Sequence, residues 1–158
     1  MSYLVWKVIH IILVILFLGN IITGLFWAHY AHRTRNFEFI GRIFRGIIIS
    51  DRIFTIPGVI GIVISGIVSA VMGKYPLLGT GWIFWSIILF SISGILFMWL
   101  APLQKRISRY VEENSMSEES WSEFNRMFHR WDLIGIMAIL TPLSALVLMV
   151  MKLELPGL

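Results

Sequence analysis

Residues 54–73 read FTIPGVIGIVISGIVSAVMG, twenty positions without a charged side chain. As an α-helix rising 1.5 Å per residue, such a stretch covers ~30 Å, the thickness of a bilayer's hydrocarbon core. No water reaches backbone N–H and C=O groups in that medium, so the segment must satisfy them internally, as a helix does. The reading is a membrane-crossing helix. Three further apolar stretches, about 3–28, 80–100 and 133–151, carry the same signature. None shows the period-two alternation of a transmembrane barrel. The expected fold class is all-α: a transmembrane four-helix bundle forming a single integral membrane domain over 1–158. Short interfacial helices are expected in the connections at about 29–53 and 101–132.

Composition supports this. The chain is 58% hydrophobic and 14% charged, with a mean hydropathy of +0.83, whereas ~25% of residues are charged in an ordinary soluble domain. The first stretch is too long for a signal-peptide core, is preceded by no charge but Lys7 and lacks an A-x-A-like site, so it reads as a retained span. The absence of cysteine excludes disulfides, thiolate metal sites, iron–sulfur clusters and cysteine nucleophiles. The net charge of +4 sits beside the spans, where arginine and lysine meet lipid headgroups rather than nucleic acid.

Arg33, Arg35, Arg42, Arg45 and Arg52 fall in the first connection and Lys105, Arg106, Arg109, Arg126 and Arg130 in the third, against Lys74 alone in the second. The positive-inside rule then places connections one and three in the cytoplasm and both termini outside. Lys7 and Lys152 act as polar anchors at the outer boundary and Arg52 at the inner one. Trp6, Trp82 and Trp85 fit an outer aromatic belt, and Trp131 an inner one.

Within the first connection, Glu38, Arg42 and Arg45 recur at helical spacing among Phe39, Ile40, Ile43, Phe44 and Ile47. This helix lies at the surface or extends the second span inward. Ser50 or Asp51 is placed to cap the second span, with Pro57 early in it. Pro142, mid-span, should kink the fourth helix, its freed carbonyl satisfied by Thr141 or a neighbouring helix. Ser115 or Ser117 caps a second short helix whose apolar face is Trp121, Phe124, Met127 and Phe128; the acidic run beside it reads as a solvated face.

Gly61, Ser65, Ser69 and Gly73 repeat every fourth residue, joined by Gly58 and Gly66, so one face of the second span is nearly free of side chains. Two occupants suit it: a helix packed backbone to backbone, or a planar cofactor or lipid tail against Gly61, Ser65 and Ser69. The polar residues inside the spans are few, and each is costly in hydrocarbon. His10 lies about two turns below the outer surface. It is either a ligand for haem iron or copper, or a hydrogen-bond partner of a serine or carbonyl on another helix. Asn20, near the midplane, reads as an interhelical hydrogen bond. His10 and His29 lie ~28 Å apart on one helix and cannot share a metal. Among the methionines at the level of His10, Met149 is a candidate thioether ligand. No serine, histidine and acid converge on one depth, no HExxH or glycine-rich phosphate loop occurs, and the spans hold no carboxylate of the kind a proton pump needs.

Lys7-Val8-Ile9-His10-Ile11, Gly19-Asn20, the run from Ser50 to Gly58, Gly79-Thr80-Gly81-Trp82, Pro102-Leu103-Gln104 and Leu148 to Lys152 together resemble a family of bacterial four-span integral membrane proteins known only as a domain of unknown function. Nearly the whole chain is covered. A more distant similarity, confined to Lys7 and His10 and to the ending at Lys152, is to the haem-containing membrane protoporphyrinogen oxidase of bacteria and to copper-resistance membrane proteins. The chain lacks that oxidase's further intramembrane histidines and the proline after the terminal lysine. The resemblance implies the bacterial inner membrane, and a b-type haem ligand at His10. Three functional classes follow: a haem b protein moving electrons to or from a quinone or porphyrin, a non-catalytic subunit of a homo-oligomer or larger membrane complex, and a copper-binding protein using His10 and Met149.

Overall fold

The computed structural model describes residues 2–158. Four helices make up nearly all of it: α1 Tyr3–Arg33, α2 Phe37–Met72, α3 Gly81–Glu113 and α4 Glu118–Met151. Each contains a window long and apolar enough to cross a membrane, and the described residues form no strand. The bundle is apolar on its outside: Leu4, Val8, Ile11, Ile15 and Phe26 of α1 and Ile60, Val63, Ile64 and Ile67 of α2 are exposed. Lipid, not water, is the medium such faces suit.

The helices outlast their spans. At 34 residues, α4 is ~51 Å long and exceeds a ~30 Å hydrocarbon core by several turns. The surplus projects at the arginine-rich end, where Phe37, Ile40, Phe44, Ile107, Trp121, Phe124, Phe128 and Trp131 bury one another in an aromatic core. The helices expected in the connections are therefore the ends of the four long ones. Gln104, Ile107, Ser108 and Val111, assigned from sequence to a connection, are buried positions of α3. The expected cap at Ser117 is present: its Oγ accepts from Ser120 N–H at 3.1 Å while Ser120 Oγ accepts from Ser117 N–H at 2.9 Å.

The second span has no cap at Ser50 or Asp51, because no helix begins there. The α-helix Phe37–Ser50 passes through a π turn, Asp51–Thr55, into the α-helix Ile56–Met72. Pro57 supplies the reason. It lacks the N–H that would bond Ile53 O, and the ladder widens just before it, with Ile56 N–H donating to Asp51 O, five residues back. Pro142 is accommodated differently. The carbonyl it frees, Ala138 O, accepts from Ser93 Oγ of α3 at 2.8 Å, and Thr141 Oγ1 bonds Met137 O at 3.1 Å. The neighbouring helix takes the role expected of it.

Glycines and serines on the half of α2 away from the arginines are met by α1. A Cβ at Gly61 would stand 2.9 Å from Leu13 Cδ1, and one at Gly66 3.1 Å from His10 Cε1, while Phe17 faces Gly58. Tyr3, His10 and Phe17 are seven apart, a seam of the kind that packs antiparallel helices closely. The α3–α4 pair forms the other hairpin, and Phe17, Leu18 and Ile62 reach Phe90, Leu143 and Leu146 across the gap as a second, smaller core. At the end away from the arginines the C-terminal segment straps the α3 N-terminus. Trp85 Nε1–H donates to Pro156 O at 3.1 Å, and Leu158 N–H to Leu78 O at 2.9 Å. A Cβ on Gly81 would fall 1.8 Å from Leu155 O, so only glycine allows the strap to lie this close.

Candidate functional site

Between the two cores lies a cavity of about 250 Å³. Phe17, Phe90 and Val59 close it toward one end of the bundle, Leu100 and Trp131 toward the other. Ile56, Ile60 and Gly94 also line it and are exposed, so its mouth opens sideways between α2 and α3, toward lipid. The walls are apolar apart from Ser93 and one cluster contributed by three helices.

That cluster centres on Asp51. Its Oδ1 accepts from Thr55 Oγ1 at 2.7 Å and from Asn20 Nδ2 at 3.3 Å, and its Oδ2 accepts from Gln104 Nε2 at 3.1 Å. Asn20 Nδ2 also donates to Thr55 Oγ1 at 2.9 Å. The π turn brings Asp51 and Thr55 inward together, both buried, while the adjacent Arg52 stays outside. All donors to the carboxylate are neutral, and Asp51 is in no ion pair among the described residues. A carboxylate held so, within an otherwise apolar bundle, is costly to keep and marks a place where polar chemistry is wanted. Trp131 adds a second sign. It is 2% exposed and lines the same cavity, and its Nε1–H is buried with no acceptor. Buried donors are nearly always paired, and an unpaired one costs ~1–3 kcal/mol.

This carboxylate lies inside a continuous helix long and apolar enough to cross a membrane, whereas the sequence reading set it at a helix start in the first connection. Asn20 is the interhelical hydrogen-bonding residue expected. Asp51, expected at a helix cap, is instead the hub of the cluster, and Thr55, Ser93, Gln104 and Trp131 are lining residues that sequence reasoning missed. A signal was present in the Asp51-x-x-x-Thr55 spacing, which sets both side chains on one helix face just before a proline.

His10 sits elsewhere, on the α1–α2 seam. Its Nδ1–H is shared between Ile62 O and Ser65 Oγ, each at 3.1 Å. Since a carbonyl only accepts, the proton is on Nδ1 and the lone pair on Nε2. Gly61 and Ser65 of the small-residue face are thus covered by Leu13 and His10 of α1. Ser69 Oγ, one turn further, is buried without a partner. Met149 is half-buried on α4, and Lys7 is exposed. Lys152 places its Nζ 5.4 Å from the Tyr75 ring and 5.6 Å from that of Trp82, a cation–π anchor at the strapped end. No cluster of three or more histidine, cysteine or acidic side chains suited to a metal ion occurs among the described residues.

No curated protein and no solved structure matches the chain. A family profile described as predicted integral membrane protein (DUF2269) matches residues 4–153. With four apolar helices long enough to span a bilayer and that match over nearly its whole length, the chain belongs to this family of integral membrane proteins.

Proposed function

We propose that this integral membrane protein takes a small apolar molecule with a hydrogen-bond-accepting oxygen, of the quinone class, from the bilayer into the cavity between its hairpins. The observation that carries this reading is the cavity itself, apolar-walled and open toward lipid, with the buried Asp51 cluster in it and Trp131, whose buried Nε1–H has no acceptor, among its lining residues. A carbonyl oxygen supplies the acceptor Trp131 lacks, and the apolar walls take the ring. Size favours one ring over a tetrapyrrole. At about 250 Å³ the cavity is just below the ~300–1,000 Å³ of common ligand sites, and well above the ~150 Å³ that admits benzene.

The test is calorimetric titration of the detergent-solubilised protein with a short-chain ubiquinone and with menadione. Saturable binding is expected, weakened about tenfold in Trp131→Phe by loss of one hydrogen bond. Gly94→Leu should abolish it: nothing lies within 4 Å of a Cβ at Gly94, so the leucine enters the mouth without a clash. Absent binding, or binding indifferent to both substitutions, overturns the reading.

The tautomer of His10 favours a second one. With Nδ1–H fixed on Ile62 O and Ser65 Oγ, Nε2 is the atom that would hold the iron of a b-type haem, the usual outer arrangement of a ligating histidine. Bound haem would supply one-electron redox chemistry. A Soret band and a sharp reduced α band after haem-supplemented expression, both lost in His10→Ala, support this; a colourless folded protein removes it. For topology we place the arginine-rich end in the cytoplasm of a bacterial cell, with both termini across the inner membrane.

A further inference from the structure

A second concavity, about 450 Å³ and open, lies on the outside of the α3–α4 pair at the arginine-rich end. Trp99 and Leu103 on α3 and Leu133 and Ile134 on α4 form its apolar part, and Arg106 and Arg130 its polar part. The helices are antiparallel, so polarity changes in the same direction along both. From Trp99 to Arg106 is seven residues, ~10 Å along α3 toward the polar end; Leu133 to Arg130 runs the same way on α4. Trp99 and Leu133 are each 63% exposed, facing where lipid chains would be. Arg35, Arg42, Arg45 and Arg126 each contact a carboxylate, whereas Arg106 and Arg130, like Arg33, Arg52 and Arg109, are in no ion pair among the described residues, and of these five only Arg106 and Arg130 line the groove.

We propose that this groove is a binding site for an anionic diacyl phospholipid, its phosphate held between Arg106 and Arg130 and an acyl chain laid along Trp99 and Leu133. Two guanidinium groups from different helices suit a phosphodiester, for which arginine's planar fork gives paired hydrogen bonds. A free phosphate would be served by the arginines alone. The apolar half of the groove, lying on the bilayer side of them, is what selects a lipid, and basic pockets between helices at the membrane boundary bind such headgroups. Pro102 between the two halves contributes no long side chain, which keeps the groove open.

The experiment is native mass spectrometry of the solubilised full chain titrated with phosphatidylglycerol, phosphatidylcholine or glycerol 3-phosphate. Wild type should retain phosphatidylglycerol at least tenfold more tightly than phosphatidylcholine. The double variant Arg106→Gln, Arg130→Gln should lose that preference, while Arg42→Gln, Arg126→Gln, which removes as much charge from paired surface positions, should keep it. Both variants alter exposed side chains, and an unchanged thermal unfolding profile confirms their fold. Equal retention by the first variant, equal loss in the second, or displacement by glycerol 3-phosphate at matched concentration would each overturn a lipid site, the last in favour of a soluble phosphate.

Discussion

Asp51 accepts from three neutral side chains drawn from α1, α2 and α3; if the carboxylate is removed, Thr55 Oγ1–H and Gln104 Nε2–H lose their acceptor and Asn20 keeps only Thr55 Oγ1. Asp51→Ala should therefore destabilise the detergent-solubilised protein by about 2–4 kcal/mol, the sum of orphaned buried donors rather than of one contact, read as a lowered unfolding temperature. Trp131→Phe should be milder. It shrinks a buried ring of the aromatic core, which costs stability, but the donor it removes has no acceptor, so with no ligand present the loss stays below that of Asp51→Ala while quinone affinity falls. A merely structural tryptophan would lose stability and leave affinity untouched. Local patterns gave Asp51 only the role of a helix cap, because an acid two turns before a glycine-rich span usually is one. Its actual role depends on Gln104, 53 positions away in sequence, and no periodicity reports a partner at that separation. His10 was legible to a fuller degree: a serine or carbonyl on another helix was one of its two readings, and Ser65 and Ile62 are those groups.

Two helices, α2 and α4, are shaped by how they handle a proline. In α4 the carbonyl freed by Pro142 is bonded by Ser93 Oγ, so Ser93→Ala should cost about 1 kcal/mol. In a Pro142→Ala background, where the restored backbone N–H at that position can bond Ala138 O, the same serine substitution should cost markedly less. A double-mutant cycle of unfolding temperatures checks this, and additive effects would refute the coupling. Where spans lie was legible because lipid demands an unbroken apolar run, and where helices end was not. Beyond Leu100 the hydropathy falls although α3 continues to Glu113, held by packing of Ile107 and Val111 into the aromatic core. The π turn was equally hidden, since Pro57 looks harmless when the helix is taken to start beside it.

As a whole molecule the protein is two hairpins fused at the arginine-rich end and parted by a cavity further along. Its orientation is open to a direct test because the chain has no cysteine. A single Ser115→Cys in intact bacterial cells should resist a membrane-impermeant maleimide until the membrane is broken, while Ser2→Cys should react at once; the reverse would invert the proposed topology. The α3–α4 hairpin is closed by a tight turn at one end and at the other by the C-terminal strap over Gly81. Gly81→Ala should lift that strap, seen as faster deuterium exchange at Leu158 without loss of the helices. In mechanical terms the strap is a clasp. Its hydrogen bonds from Leu158 and Trp85 lie in series along the chain, so a pull applied there loads them one at a time. The segment should peel away at low force before α4 feels any tension, as a buckle opens before the belt is stretched.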